Sequence, residues 1–305
     1  MQLEQAAPLA GPVEEPAAAG ESVGYYRGAW GRFRRDRTSV AALVVFALIC
    51  LLALAAPLIA DGWLHTDPAR QRLQDQFAAP GASHLLGADE YGRDQLTRLL
   101  YGARVSIGLG FTVAALSISL RTVAGLLAGY YGGWIDDLVN AVMQLQRGVP
   151  FLYLLIMYAM IFRPTPVSLA ILFGVWGWSG VARVVRGQTL SGRRRDYVDA
   201  ARALGAGDWR IMYRHILPNT GSIVLTIVGF DVAGTILGEA GISFLGFGIQ
   251  PPTASWGNML TNSLDYVSRA WWLVAAPGTA ISLTVLCVFL VADGLRDALD
   301  PRLTR

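Results

Sequence analysis

Residues 193–220 read RRRDYVDAARALGAGDWRIMYRHILPNT, from Arg193 to Thr220, and form a polar island in a chain that is otherwise mostly apolar. Asp196 to Leu204 is rich in helix formers and places Tyr197, Ala200, Ala201 and Leu204 on one side. Gly205 and Gly207 then stop that helix, because glycine supplies the left-handed turn a helix end requires. Asp208 is placed to cap a second helix, Trp209 to Leu217, by accepting a bond from a free backbone N–H. Pro218 is expected to end that helix and open the next hydrophobic run. The stretch therefore predicts an amphipathic helical hairpin on the water side of a membrane, with small alanines that let another protein approach. A plain basic loop held at the surface by its charge is the alternative.

The composition sets this hairpin in a membrane. Of 305 residues, 53% are hydrophobic and 15% charged, and the mean hydropathy is +0.42. Such a chain is a polytopic membrane protein, not a soluble domain. All 25 basic residues are arginine. A phosphate-binding loop of the Walker type needs a lysine, so any ATP that drives this protein must bind another chain. Cys50 and Cys287 both lie in apolar runs and imply no disulfide framework. His65, His84 and His215 are scattered, with no HExxH or Cys/His cluster, so no metal site is expected.

Taken in order, residues 1–36 read as a water-side tail, aperiodic and rich in Ala, Pro, Glu and Gly up to residue 24 and ending in the basic flank Trp30 to Arg37. Residues 37–60 are a first transmembrane helix, whose apolar core is long for a cleaved signal peptide. Residues 61–103 are polar and mixed, with an amphipathic Leu96–Tyr101 expected as an interfacial helix. Residues 104–294 carry five more apolar spans, near 104–130, 137–162, 166–190, 219–243 and 271–293, and residues 295–305 form a polar tail. The fold class expected is all-α, with six transmembrane helices.

Arginine placement orients the chain. With both termini in the cytoplasm, fifteen arginines fall inside, six outside and four within spans. The same orientation puts the hairpin in the cytoplasm. Between the last two spans, on the outside, lies SFLGFGIQPPTASWG (243–257), whose glycines and prolines preclude a simple helix. Phe244, Phe247, Gln250, Pro251, Ser255 and Trp256 are candidates for a docking surface or an outer gate; a re-entrant cap that only packs is the other reading.

Several stretches together resemble the C-type permease subunit of dipeptide/oligopeptide ABC importers. In the hairpin, Asp199-Ala200-Ala201, then Gly205, then Ile216-Leu217-Pro218 resembles the coupling loop of binding-protein-dependent permeases, with Asp199 where that family usually has glutamate. WGRFRRDRTSVAALVV from Trp30, LLGADEYGRDQLTRLLYGARVS (85–106), GEAGISFLGFGIQPPTASWG (238–257) and ADGLRDALDPR (292–302) extend the likeness from about Gly28 to the end. The resemblance implies a type I importer (MetI-like) permease fold in the bacterial cytoplasmic membrane. It implies a second, B-type permease subunit, two cytoplasmic ATPases that carry ATP and Mg, and an extracytoplasmic solute-binding protein. It also implies that residues 193–218 couple to the ATPases, through Asp199, Ala200, Ala201, Leu204, Gly205, Ile216, Leu217 and Pro218. Besides membrane lipid no other partner class is implied, nucleic acid included. Nickel, glutathione and other solutes are carried by the same subtype. Many relatives have an arginine and an aspartate near Ala141 and Gln144; here those positions are neutral and Arg147 appears instead.

Ionised groups at mid-span are costly and mark functional sites. Arg147 and Asp231 lie near the middle of their spans and are expected to face the translocation path or each other, with an Arg121–Asp231 pair as the structural alternative. Two other classes of function fit less well. An ion-coupled secondary transporter leaves the hairpin unexplained, and the halves show no inverted repeat. An intramembrane hydrolase would need a nucleophile setting that Ser243 lacks, since Leu245 stands where GxSxG needs glycine.

Overall fold

A computed structural model describes residues 22–299, and among these every element is helical. The helices are α1 (Ser22–Arg35), α2 (Arg37–Leu54), α3 (Ala56–Ile59), α4 (Gln95–Tyr131), α5 (Gly133–Gly148), α6 (Phe151–Ile161) and α7 (Pro166–Trp176). They continue as α8 (Ser179–Gly192), α9 (Asp196–Ala203), α10 (Asp208–Arg210), α11 (Leu217–Phe244), α12 (Trp256–Met259) and α13 (Trp272–Leu299). Residues 1–21, most of the predicted tail, and 300–305 lie outside the described residues.

Local chemistry sets the helix starts. The Asp36 carboxylate accepts from the Thr38 and Ser39 N–H groups at 3.1 and 3.3 Å and opens α2. Asp94 accepts from the Thr97 N–H at 2.8 Å and opens α4. Thr165 and Ser168 form a reciprocal capping box at α7, with Pro166 in the first turn. The basic flank is itself helical: it forms α1, and Arg32 donates to the Ala298 carbonyl at 2.9 and 2.7 Å, tying α1 to the end of α13.

Against the six spans expected, four to five helices of spanning length stand among the described residues, and they differ in shape. Four helices are long and apolar enough to cross a bilayer, α2, α4, α11 and α13, and α7 with α8 makes a fifth that bends by 42°. The predicted 137–162 span is broken at Val149–Pro150 into α5 and α6, because proline removes a helical donor and clashes with the preceding turn. By itself α6, with 11 residues, rises only about 16 Å, half of a hydrocarbon core. The predicted interfacial helix Leu96–Tyr101 is not a separate element. It forms the first turns of α4, a single helix of 37 residues, and Thr97, Arg98 and Leu100 are buried.

The long α4 is the centre of the bundle, with α2, α7, α8 and α11 packed around it, while α13 packs on α2 and α11. Without a hydrophobic drive between helices in lipid, close packing must come from small residues. Gly125 and Gly129, four apart on α4, supply it. A Cβ at Gly125 would stand 2.7 Å from the Ala182 carbonyl oxygen, and one at Gly129 would stand 2.6 Å from Thr189 Cβ. The backbones of α4 and α8 therefore meet where no other residue fits.

Candidate functional site

The first half of the hairpin forms the helix and glycine turn that the sequence predicts, but the four residues expected on one side are split, with Ala201 buried and Ala200 and Leu204 exposed. α9 ends at Ala203, and Gly205 takes φ +78°. The Gly205 N–H donates to the Arg202 carbonyl and the Ala206 N–H to the Ala201 carbonyl, both at 3.0 Å. Those two bonds define a Schellman termination. A Cβ at Gly205 would meet nothing within 4 Å, so the backbone angle alone demands glycine there.

The second half differs from expectation in two ways. Asp208 is not the cap: Gly207 holds that position, and the Asp208 carboxylate instead accepts from Tyr130 Oη at 2.7 Å. Pro218 does not end the helix either. Residues 208–210 run on through a π-helical segment, Ile211–Ile216, into α11, where Pro218 sits in the first turn. The wider π turn absorbs the missing proline donor, so the chain stays helical from Asp208 to Phe244.

One side of the hairpin is a core. Val198, Ala201, Ile211, Met212 and Ile216 are buried against Leu126, Tyr130 and Val185 of α4 and α8. The other side is bare. Leu204 is 88% exposed and Trp209 58%, and Trp209 stacks on Tyr213 with ring centroids 5.4 Å apart. Of the eight residues singled out for coupling, Asp199, Ala200, Leu204, Gly205 and Pro218 are exposed. Ala201 and Ile216 face the protein and hold the hairpin, and Leu217 is partly buried. Asp199 pairs with Arg202 at 2.9 Å on the surface, where screening leaves such a pair little weight.

Polar ties fix the hairpin's base. The Arg193 guanidinium donates to the Tyr130 carbonyl at 2.7 Å. Arg186 of α8 grips Asp136 of α5 with two nitrogens and holds its carboxyl below the usual carboxylate range.

Of the mid-span charges, Asp231 is paired with Arg121 and not with Arg147. Arg121, 1% exposed, donates to Asp231 at 2.5 Å and to the Ser117 hydroxyl at 2.8 Å. Asp231 is therefore satisfied by α4, while Arg147 stands exposed on α5 and does not share that pair. Arg147 lies in the last turn of α5, just ahead of the break at Val149–Pro150.

At the far end of α11 the docking candidates separate. Phe244 and Pro251 are exposed, and Phe247 and Gln250 are partly buried. Ser255 and Trp256 are buried at 0% and 1%, so neither can dock a partner. Ser255 caps α12, and Trp256 Nε1 donates to the Leu99 carbonyl at 3.0 Å. Their packing supports the re-entrant reading for this half of the stretch. Sequence reasoning missed Glu239, which is fully buried beside them; its signal was an acid inside an apolar span.

A bundle of membrane-crossing helices that projects a rigid, half-bare hairpin is the architecture of a transport component. The chain belongs to the binding-protein-dependent transport system inner membrane component family, whose model matches residues 121–305. The N-terminal TM domain of oligopeptide transport permease C matches residues 24–80. A Brucella abortus permease protein named for peptide transport is 42% identical over 272 residues, 89% of this chain and 90% of that one. The dipeptide transport system permease protein of Bacillus subtilis is 35% identical over 285 residues, 93% of this chain and 88% of its own length. The oligopeptide counterpart of Haemophilus influenzae is 34% identical over 296 residues, covering 96% and 93%. Among solved structures, a chain of the MetNI methionine ABC transporter in inward-facing conformations superposes with a TM-score of 0.53 at 16% identity, covering 67% of this chain and 97% of that one. That likeness carries the MetI-like type I importer permease fold. A permease component of this family is not itself the catalytic subunit.

Proposed function

We propose that this chain is one of two permease subunits of an ATP-driven, binding-protein-dependent importer of di- and oligopeptides. The observation that carries the reading is the hairpin's bare face. Leu204, Trp209 and Tyr213 are exposed on a segment whose opposite face is packed and whose end is fixed by a Schellman turn. An apolar patch held rigid in water is a docking surface. Its occupant is a cytoplasmic ATPase subunit, since no lysine is present here to bind ATP. The arginine distribution supports cytoplasmic termini and a cytoplasmic hairpin. The peptide assignment rests on the names of the relatives above.

The transport step follows from continuity. ATP closes the two ATPases, closure displaces the hairpin, and the helix from Asp208 to Phe244 carries that displacement through the membrane as one body. The path between the two permease subunits then opens alternately to each side. Asp231 keeps about a quarter of its side chain exposed (24%) while Arg121 is buried. Asp231 is thus the member of that pair that a peptide ammonium can reach.

Three measurements test this. The purified chain alone should hydrolyse no ATP; vanadate-sensitive turnover in the absence of partners would overturn the assignment. A cysteine at Leu204 should crosslink to a co-expressed Walker-motif ATPase subunit and lose that crosslink with Gly205→Val. Uptake of labelled dipeptide, competed by other peptides but not by nickel or glutathione, fixes the solute.

A further inference from the structure

Glu239 lies near the C-terminal end of α11, 22 residues and roughly 33 Å of helix from Leu217, where the hairpin joins. It is 0% exposed, and its partners are three serine hydroxyls from three elements. Ser243 of α11 and Ser255 of the α12 cap donate to Oε1 at 2.6 and 2.8 Å. Ser106 of α4 donates to Oε2 at 3.2 Å.

Each of these hydroxyls also accepts a backbone N–H from the segment 249–258. Ile249 N donates to Ser243 Oγ at 3.2 Å, Trp256 N to Ser106 Oγ at 3.1 Å, and Asn258 N to Ser255 Oγ at 3.1 Å. A serine that accepts an N–H still has its own proton to give, and here all three give it to one carboxyl, which has lone pairs for each. The loop's backbone is thereby wired through three relays to a single side chain. Its approach is close as well: a Cβ at Gly257 would stand 2.7 Å from Ala240 Cα, and one at Gly248 2.6 Å from Ser243 Cα.

We propose that Glu239 is a positioning residue of the transport cycle: it locks loop 245–257 onto α4 and α11, so that the loop moves with α11 when the hairpin is displaced at the opposite end. This rests on the proposed function for the direction of the signal, though the lock itself does not. The physical argument is that a fully satisfied buried network is rigid, whereas removing its common acceptor leaves three hydroxyls unpaired in a site closed to bulk solvent. An acid at this depth is expensive, and such residues in spans are kept for function. The exposed Leu245 and Pro251 ride on the locked loop, next to the exposed Phe244 that ends α11. They are then the part that meets the binding protein or closes the outer mouth.

The test uses the assembled transporter in nanodiscs, with Cys50 and Cys287 replaced by serine and Ala254→Cys as reporter, a site only 5% exposed. Labelling by a membrane-impermeant maleimide should be slow in the parent. Glu239→Ala should speed it on the order of tenfold, the scale of one lost buried hydrogen bond. Glu239→Gln should stay near the parent, because its oxygen still accepts from Ser243 and Ser255 while its NH2 donates to Ser106 Oγ. Ser106→Ala, which cuts only the link to α4, should fall between and keeps the test open if Glu239→Ala fails to assemble. Glu239→Ala should also lose stimulation of ATP hydrolysis by loaded binding protein while basal hydrolysis persists. Parent-like labelling in Glu239→Ala and Ser106→Ala, or a Gln variant as fast as the Ala variant, overturns the lock. A released loop with stimulated hydrolysis intact overturns its role in transmission. Loss of ATPase co-purification from the parent chain would strike the coupling assignment instead, and the labelling comparison would still decide the lock.

Discussion

Two irregular segments flank α11, and they are finished in opposite ways. The hairpin before it buries one face and leaves the other bare, with Leu204 88% exposed. The loop after it turns Ser255 and Trp256 fully inward and ties its backbone to Glu239. Both turn on glycines, and both stand between apolar spans. The difference lies in what satisfies their polar groups. The hairpin satisfies its own backbone, through a Schellman turn and helical bonds, with side-chain ties to Tyr130 only on its packed side, and so is free to offer an apolar face to another protein. The loop borrows acceptors from α4 and α11 and becomes part of them. A segment that closes its own hydrogen bonds can be an interface; one that cannot becomes an internal strut.

This contrast breaks if burial does not rank the consequences of substitution. The largest effect is expected at the Arg121–Asp231 pair, where Arg121→Gln removes a fully buried charge partner, leaves the mostly buried Asp231 unpaired and should cost about 3–5 kcal/mol. Thermal unfolding in detergent reads this, and the double change with Asp231→Asn should recover part of the loss. Arg147→Gln, exposed on α5, should stay within about 0.5 kcal/mol. Equal losses at the two arginines would mean that Arg147 is held by something the bundle alone does not show.

Next is the pair of tryptophans. Trp256→Ala, at 1% exposure, should destabilise by about 3 kcal/mol or more, while Trp209→Ala, at 58%, should leave stability nearly unchanged and reduce uptake. If Trp209→Ala transports normally, the bare face is not a docking surface.

Gly205→Val should cost about 1–2 kcal/mol at the Schellman turn, since a β-branched residue resists φ +78°. The side chain itself meets open space, so the strain is local and the bundle should remain assembled. Uptake should fall more than stability, and preserved uptake would break the link between the turn and coupling.

The smallest effect is one of pH. The Arg186 guanidinium holds the Asp136 carboxyl below its usual range, so the pair's contribution is present above the unfolded carboxylate pKa of about 3.9 and fades as pH falls through the lower folded value. Unfolding curves at pH 5 and pH 3 should differ less in Asp136→Asn than in the parent. An identical pH response in both would show that the pair adds nothing to the hairpin's base.

Much of this was legible in the chain. Apolar runs gave the membrane class, Gly205 gave the turn, and the order of motifs gave the family. Local rules failed where a partner lay far away in sequence. Asp208 looked like a cap because its neighbours are helical, but Tyr130, 78 positions earlier, takes its carboxylate and Gly207 serves as cap. Pro218 looked like a terminator because proline lacks a donor; a π turn one step earlier makes that donor unnecessary. Leu96–Tyr101 looked interfacial because it is amphipathic, yet its polar residues pack under the segment 61–94, as the Thr97 hydroxyl does on Thr66 at 2.6 Å.

By itself the sequence determined the helical class, the absence of a phosphate-binding lysine and the place of the hairpin between two apolar runs. These depend on composition and on spacings of a few residues, which a chain displays without folding. Only the tertiary structure decided which arginine meets Asp231, which hairpin face is bare, and that three serines up to 149 positions apart converge on Glu239. Those outcomes depend on how α4, α11 and the loop are brought together. Helix packing is set by shape at positions such as Gly125 and Gly129, and shape is a property of the assembled surface and not of the order of residues.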